Sequence, residues 1–306
     1  MRTILVTGGS GFIGSNLVRR LLQNRDRLHL IVRPASNLWR LDSLLSQLTL
    51  HRVDLEDLAE IERVVKKITP SHVIHLAAQG VITGYNSSSD ILMGNIVGTF
   101  NLLKATRQIG YESFIHMGGS SEYGHKNGPM SEQDVLEPIT LYGLSKACTS
   151  LLAQQFSLEH DKPISVLRAF SVYGPYESPR RLVPTVIEAA LLGKTLSLTP
   201  PGFSRDYIFI DDVVNACVLC LKNQLKEIVN IGTGVQTTNE RIVELVEELT
   251  QKKITVNVGA YPKRISDKAV WVADRKKAKN LLGWEPLYDL KQGLQKMIRH
   301  YESTRS

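Results

Sequence analysis

The sequence predicts an α/β protein: a doubly wound parallel (Rossmann) sheet with a smaller C-terminal substrate-binding lid. Two observations lead to this fold class. Apolar, strand-like segments alternate with amphipathic helical segments through the first half of the chain, which is typical of a parallel sheet. A glycine-rich turn also joins the first strand-like segment to the first helical one, as in a dinucleotide-binding site.

The glycine-rich turn, residues 7–14, reads Thr-Gly-Gly-Ser-Gly-Phe-Ile-Gly, between a strand at 3–6 and a helix at 15–22. Glycines there allow a tight turn, close approach of the backbone to a pyrophosphate, and close packing of the helix on the strand. The helix N-terminus offers N–H groups and a partial positive charge to the phosphates. The residues of the turn predicted to bind the dinucleotide are Gly8, Gly11, Phe12, Ile13 and Gly14.

The elements that follow continue the alternation. Strands are expected at residues 28–32, 49–53, 72–78, 113–117 and 164–168. Helices are expected at residues 59–68, 95–108 and 142–160. Beyond residue 174, prolines break the chain into shorter pieces. We therefore expect a dinucleotide-binding domain over residues 1–173 and a mainly substrate-binding domain over residues 174–306. Within the second range, residues 207–221 are a candidate segment of the first domain.

Composition excludes several classes of protein. The 306 residues are 42% hydrophobic and carry a formal charge of +7, but the basic residues are scattered, so a nucleic-acid partner is not expected. No apolar run approaches the ~18 residues of a membrane span, and the first apolar segment is the first strand, not a signal peptide. Cys217 and Cys220 lie in an apolar helical run without a second ligand cluster. They indicate buried thiols in a reducing, cytoplasmic protein, with no metal.

Tyr142 and Lys146 lie four residues apart in a predicted helix, so their side chains share one face. A free tyrosine has a pKa of about 10, too high for easy proton exchange at neutral pH. A nearby ammonium stabilises the phenolate and lowers that pKa. Together with the dinucleotide turn, the pair predicts proton transfer at a sugar hydroxyl or ketone while a nicotinamide exchanges hydride.

These features resemble the extended branch of the short-chain dehydrogenase/reductase family over nearly the whole chain, and within it the nucleotide-sugar epimerases, dehydratases and reductases. The resemblance implies further cofactor contacts at Asp54, Leu55, Leu76, Ala77 and Ala78. It implies that Arg205 and Arg264 bind the diphosphate of a nucleotide sugar, since guanidinium groups pair well with phosphate. It also implies a homodimer formed through the helices at 95–108 and 142–160.

The end of the second strand departs from the pattern of NAD-specific relatives. Those proteins carry an acidic residue that binds the adenosine ribose, and this chain has Arg33. An arginine attracts a 2′-phosphate, whereas a carboxylate repels it. The sequence therefore favours NADP(H), with NAD(H) as the other possibility.

The serine loop is a second departure. Relatives place a catalytic Ser or Thr four residues before the Tyr-Gly pair, which here is Tyr123-Gly124, and that position is Gly119. We expect Ser120 to supply the hydroxyl, with Ser121 as the alternative. Both serines could instead cap backbone groups of the loop. Related 4,6-dehydratases carry adjacent Asp and Glu in this loop, and here Glu122 stands alone as an expected substrate contact.

The sequence thus favours an NADPH-dependent reductase of a nucleotide-diphospho-4-keto-6-deoxy sugar. The alternative is a nucleotide-sugar 4-epimerase with tightly bound NAD, and a dehydratase is less favoured. A different class, a catalytically silent protein that senses dinucleotides, is disfavoured by the intact Tyr142 and Lys146 pair.

Overall fold

The computed structural model describes residues 1–80, 86–263, 265, 267–268 and 270–304. The chain divides into two compact units. The first comprises Met1–Gly124, Val135–Ala169 and Val214–Val229, and the second comprises His125–Asp134, Phe170–Val213 and Asn230–Ser306. The domain boundary expected from the sequence, between residues 173 and 174, stays a prediction.

Strands and helices alternate along the first half of the chain, as the sequence predicts. The strands are β1 Thr3–Thr7, β2 Arg27–Val32, β3 Thr49–Arg52, β4 His72–His75, β5 Ser113–Gly119, β6 Ile164–Ala169, β7 Ser171–Tyr173, β8 Leu196–Leu198, β9 Ser204–Phe209, β10 Ile228–Ile231, β11 Gln236–Thr238 and β12 Val256–Val258. The α-helices are α1 Phe12–Gln23, α2 Leu58–Ile68, α3 Ser88–Leu92, α4 Gly98–Thr106, α5 Leu141–His160, α6 Leu182–Leu192, α7 Ile210–Asn223, α8 Asn239–Thr250, α9 Lys276–Leu282 and α10 Leu290–Ser303.

Seven strands form one sheet in the order β10-β6-β5-β4-β1-β2-β3, and the pairings among β1 to β6 are parallel. The doubly wound Rossmann fold is therefore confirmed. Because β1 lies between β2 and β4, the chain leaves the centre of the sheet in two directions. Ligands of such sheets bind where the strand order reverses, beyond the carboxyl ends of the strands. The turn after β1 and the loop after β4 both lie there.

Buried apolar side chains hold α2, α4 and α5 against this sheet. Leu5, Ile61, Val73 and Phe114 are members of one cluster with no solvent exposure. Burying a side chain of this size contributes roughly 1.5–3 kcal/mol. The N-terminus of α5 is fixed by a side-chain cap: the hydroxyl of Thr140 accepts a hydrogen bond from Gly143 N at 3.0 Å.

The helix expected at residues 95–108 differs from the prediction. The structure has three segments instead: α3, a π-helical turn at Met93–Val97, and α4, which ends at Thr106. Asn95 lies in the π-helical turn and is 2% exposed. Its side chain bonds the backbone of Gln79, with Gln79 N donating to Oδ1 at 2.7 Å and Nδ2 donating to Gln79 O at 3.0 Å. A π-helical turn contains one residue more than an α-helical turn, and such turns occur frequently at functional sites.

The second unit contains a three-stranded sheet, β11-β9-β7, and a two-stranded sheet, β12-β8. Asp206 on β9 fixes this unit locally, because its carboxylate accepts hydrogen bonds from the backbone N–H groups of Thr233, Gly234 and Ala273 at 2.8, 2.9 and 3.1 Å. Among the described residues, no helix is both long and apolar enough to cross a membrane.

Candidate active site

The turn after β1 has the geometry of a phosphate cradle. Gly8 has φ +71°, and a Cβ there would lie 2.4 Å from Ala77 N. A Cβ on Gly14 would lie 2.2 Å from Gly8 O. Gly11 precedes α1 as its N-cap without a side-chain cap, so the first N–H groups of α1, beginning at Phe12 and Ile13, are left for a ligand. Gly8 and Gly14 cannot be replaced without moving backbone, because the turn packs directly on the loop after β4 and on the start of α1.

A pocket in the first unit brings together most of the predicted cofactor residues. It is lined by Gly8, Gly11, Arg33, Asp54, Leu55, Leu76, Ala77 and Ala78, and also by Ala35, Ser36, Asn37, Arg40, Gln79 and Gly94. The strand expected at 72–78 ends at His75, because residues 76–78 leave the sheet and line this pocket. One carboxylate oxygen of Asp54 already has a partner within the chain, since its Oδ1 accepts a hydrogen bond from Glu56 N at 3.1 Å.

Arg40 is the charged residue of this pocket that sequence reasoning missed. Its guanidinium lies 4.4 Å from the centre of the Trp39 ring, and burial lowers the pKa of Arg40 below its usual value. Arg33 is exposed at the same pocket. The sequence does show Arg40 as a second basic residue, after Arg33, in the segment that follows β2. Nothing in the sequence shows that this segment folds back onto the pocket.

Lys146 and Tyr142 lie on the first turns of α5, as predicted. Lys146 is 3% exposed, and burial lowers its pKa to about 8, against an opposing effect of Glu122. Tyr142 is half-buried. Ser145 Oγ donates to Tyr142 O at 2.8 Å and accepts from Asn95 Nδ2 at 2.8 Å. The start of α5 is thereby tied to the loop after β4 through Asn95.

The serine loop is a short 3₁₀ helix, Ser120–Glu122, at the end of β5. Ser120 is 8% exposed. Ser121 Oγ is buried and has no hydrogen-bond partner among the described residues. A Cβ on Gly119 would meet only ordinary contacts, at 3.7 Å from Ser121 Oγ and 3.8 Å from Ala169 O. Gly119 thus lacks the hydroxyl that the family resemblance predicts at this position, although a Cβ would fit there.

The substrate contact expected of Glu122 is corrected by the structure. Glu122 has no exposed surface, and its Oε2 accepts from Arg168 Nε at 2.7 Å. Its Oε1 accepts from Gly119 N at 2.7 Å, and Arg168 also donates to Tyr123 Oη at 3.0 Å. A carboxylate buried in such a pair is held by its partners. Sequence spacing alone could not reveal that Arg168, on β6, neutralises it.

The second unit has its own pocket, which contains Arg205. Arg205 pairs with Asp267 at 3.2 Å, and its guanidinium lies 4.6 Å from the Trp271 ring centre. The charged residues that line the pocket are Glu177, Arg180, Arg181, Arg205 and Asp267. Burial raises the pKa of Glu177 to about 7, although Arg181 opposes this, so the lining has a positive balance near neutral pH. Arg264 lies outside the described residues.

The two cysteines with CxxC spacing, in the first unit, are core residues. Cys217 and Cys220 on α7 are buried with no exposed surface, and burial raises the pKa of Cys220 to about 12. Their thiols are therefore protonated near neutral pH and poor metal ligands.

Comparison with known proteins identifies the family. Residues 5–297 match the family model described as GDP-mannose 4,6 dehydratase. The dTDP-glucose 4,6-dehydratase of Neisseria meningitidis is 32% identical over 332 residues, which cover 98% of this chain and 93% of that protein. Thermotoga maritima UDP-glucose 4-epimerase, solved with UDP-glucose, has a TM-score of 0.92 at 31% identity and covers 99% of this chain and 100% of its own. Bacillus cereus UDP-glucuronic acid 4-epimerase, solved with UDP-glucuronic acid and NAD, has a TM-score of 0.87 at 30% identity and 99% coverage of both chains.

The chain belongs to the extended short-chain dehydrogenase/reductase family of nucleotide-sugar epimerases and dehydratases. It is an enzyme of the NAD(P)-dependent oxidoreductase and epimerase class that acts on nucleotide sugars. The resemblance seen in the sequence is therefore confirmed.

Proposed function

We propose that the chain is a nucleotide-sugar 4-epimerase that inverts a sugar carbon by removing and returning one hydride. The single observation that carries this proposal is the serine loop. Its one acidic side chain, Glu122, is locked into a buried pair with Arg168, whereas Tyr142 and Lys146 share a face at the start of α5. A dehydratase, which eliminates water, needs a free acid–base pair in this loop. An epimerase, which reversibly oxidises the sugar, needs only Tyr142 and Lys146.

In this proposal Tyr142 is the acid–base group. Its phenolate accepts the proton of the sugar hydroxyl as hydride leaves the carbon, and the resulting phenol returns the proton after the keto sugar has rotated to present its opposite face to the hydride. The ammonium of Lys146 favours the phenolate electrostatically and holds the cofactor ribose. Ser120 orients the sugar hydroxyl, with Ser121 as the alternative. When bound, a nicotinamide dinucleotide supplies the hydride acceptor.

The glycine cradle supports the fit of that dinucleotide. A Cβ on Gly8 or Gly14 would collide with backbone atoms of the chain itself, so the turn packs tightly on the loop after β4 and on the start of α1, whose first N–H groups have no side-chain cap. The pyrophosphate would rest on the turn and on the N-terminus of α1. Leu76, Ala77 and Ala78 would contact the dinucleotide from the loop after β4, and Asp54 and Leu55 from the end of β3.

The pocket of the second unit is proposed to bind the nucleoside diphosphate, with Arg205 and Arg264 as its phosphate contacts. The pairing of Arg205 with Asp267 leaves its planar guanidinium stacked on Trp271, which pre-orders it for a phosphate. Arg205→Ala is expected to weaken binding of UDP by the roughly 1.5–3 kcal/mol of a charged hydrogen bond. Isothermal titration with UDP and, separately, with NAD tests this, because the affinity for NAD should not change.

A second candidate, an NADPH-dependent keto-sugar reductase, is favoured by the basic lining of the cofactor pocket. Arg33 and Arg40 both line it and would attract a 2′-phosphate. An Arg33→Asp variant should then bind NADPH more weakly and NADH more tightly. Equal affinity of the starting protein for the two cofactors would remove the basis of this candidate.

The deciding experiment offers the protein UDP-glucose, UDP-glucuronic acid and dTDP-glucose in separate reactions, with added NAD. The proposal expects the C4 epimer of at least one substrate, identified by NMR, with no net production of NADH. A 4-keto-6-deoxy product, or turnover of keto sugars that consumes NADPH mole for mole, would contradict it.

A further inference from the structure

A row of buried polar side chains crosses the centre of the seven-stranded sheet. Thr7 on β1 faces His75 on β4, and His75 faces His116 on β5, at matching register positions. None of the three side chains is more than 1% exposed. The two imidazole rings stack with their centres 5.3 Å apart and their planes 29° apart. Thr7 directly precedes the glycine cradle, so this row begins beside the cofactor turn.

Hydrogen bonds extend the row to the helices packed on the sheet. His75 Nδ1 lies 2.6 Å from Thr7 Oγ1, and His75 Nε2 lies 2.8 Å from Thr99 Oγ1 on α4. His116 Nε2 lies 3.0 Å from Thr149 Oγ1 on α5. Each imidazole is thus bonded to a hydroxyl of a different helix.

Thr149 joins the row to Lys146. Its Oγ1 donates a hydrogen bond to the backbone carbonyl of Lys146 at 2.9 Å. A hydroxyl has one proton to donate, so toward His116 the same oxygen can only accept. His116 therefore carries its hydrogen on Nε2. Burial together with the charge of Lys146 lowers the pKa of both histidines, so both rings are neutral at pH 7 and place no second cation beside Lys146.

We propose that His116 and Thr149 are positioning residues, which fix the turn of α5 that carries Lys146 and through His75 tie it to the cofactor turn. This inference rests on the proposed function, because Lys146 acts there on both Tyr142 and the cofactor ribose. Small displacements of catalytic groups are costly: about 1 Å can reduce a rate 10²-fold.

The test compares His116→Leu, which removes the hydrogen bond to Thr149, with His116→Gln, whose amide N–H can still donate. His116→Leu is expected to lower kcat about 10-fold, part of the cost of a displaced catalytic group, with little change in KM for the sugar nucleotide and weaker binding of NAD. His116→Gln is expected to recover most of this loss. Thr149→Val should reproduce His116→Leu, and the double variant should be no worse than either single one.

The edge of the same sheet offers a matched control. His29 on β2 and His51 on β3 also stack, with ring centres 5.4 Å apart, and, unlike the central pair, they bond each other at 3.1 Å. His29→Leu breaks this partly buried histidine pair, which forms no described hydrogen bond to α5. Its kcat and its affinity for NAD should equal those of the starting protein.

Three results would overturn the proposal: a folded His116→Leu variant with unchanged kcat and unchanged NAD affinity, no recovery in His116→Gln, or additive losses in the double variant. If His116→Leu does not fold, the nearly isosteric Thr149→Val carries the same test. If the starting protein epimerises no sugar nucleotide, the proposed function fails, and titration of the same variants with NAD and NADP still decides the role of the row.

Discussion

Tyr142 is the residue on which the proposed proton transfer depends. Its replacement by Phe keeps the ring and removes only the hydroxyl, so the fold and the cofactor pocket should be preserved. Positioned acid–base groups contribute about 10²–10⁴-fold, and kcat should fall by that amount while the affinity for NAD is unchanged. Steady-state kinetics and calorimetric titration measure the two quantities. A variant that retained full activity would mean that another group transfers the proton.

The vacant position at Gly119 provides a second residue-scale test. Ser120→Ala should reduce kcat more than Ser121→Ala if Ser120 orients the sugar. Because a Cβ at Gly119 meets only ordinary contacts, the small side chain of Gly119→Ser should let the protein fold normally. Added to Ser120→Ala, it should restore part of the lost rate by placing a hydroxyl where relatives have one. Equal kcat in both alanine variants would remove Ser120 from the mechanism.

Single residues show where sequence reasoning succeeds and where it stops. The glycine cradle was predictable because strand, turn and helix are contiguous, and Gly8 and Gly14 are needed for local reasons. Arg40 was not predicted, and the burial of Glu122 was not foreseen, because their environments come from distant parts of the chain. Arg168 is 46 residues from Glu122 along the chain, and no local sequence pattern predicts that the two form an ion pair.

At the scale of elements, α5 buries a charged side chain, Lys146, that the proposed reaction requires. Burial lowers the pKa of Lys146 from its ordinary value of 10.5 to about 8 in the folded protein, against the opposing charge of Glu122. Between these values the unfolded chain binds more protons, so this residue makes stability rise with pH there. Below pH 8 the buried ammonium lowers the free energy of unfolding by a few kcal/mol, at about 1.4 kcal/mol per pKa unit.

Lys146→Met should therefore raise the free energy of unfolding of the cofactor-free protein at pH 7, although it removes activity. The gain should shrink as pH rises from 8 toward 10.5. Urea unfolding at pH 7 and at pH 9.5 measures this, with the exposed Lys104→Met on α4 as the control. A gain that did not depend on pH would assign the effect to packing instead of charge.

Most element boundaries followed from the sequence, but the helix at 95–108 did not. Its periodic pattern continues through the segment, so nothing local marks the π-helical turn at Met93–Val97. The turn places Asn95 where it bonds Gln79 and Ser145. Such a distortion depends on tertiary partners, which periodicity does not contain.

At the scale of the whole molecule, α5 presents an apolar stripe. Leu144, Leu151 and Leu158 are 45%, 54% and 81% exposed, and their spacing of seven residues aligns them along one side of the helix. We propose that a second copy of the chain covers this stripe. Leu151→Glu should convert a dimer into a monomer in light-scattering measurements, and Leu192→Glu, a comparably exposed leucine on α6, should not. A starting protein that is monomeric would contradict the proposal.

The central claim, that one hydride is removed from the sugar and returned to it, is tested most directly with a sugar nucleotide that carries deuterium at C4. The account predicts that the epimeric product, analysed by NMR and mass spectrometry, retains the deuterium at C4 without added NADPH. A product that had lost the deuterium, or one that formed only when NADPH was supplied, would contradict it.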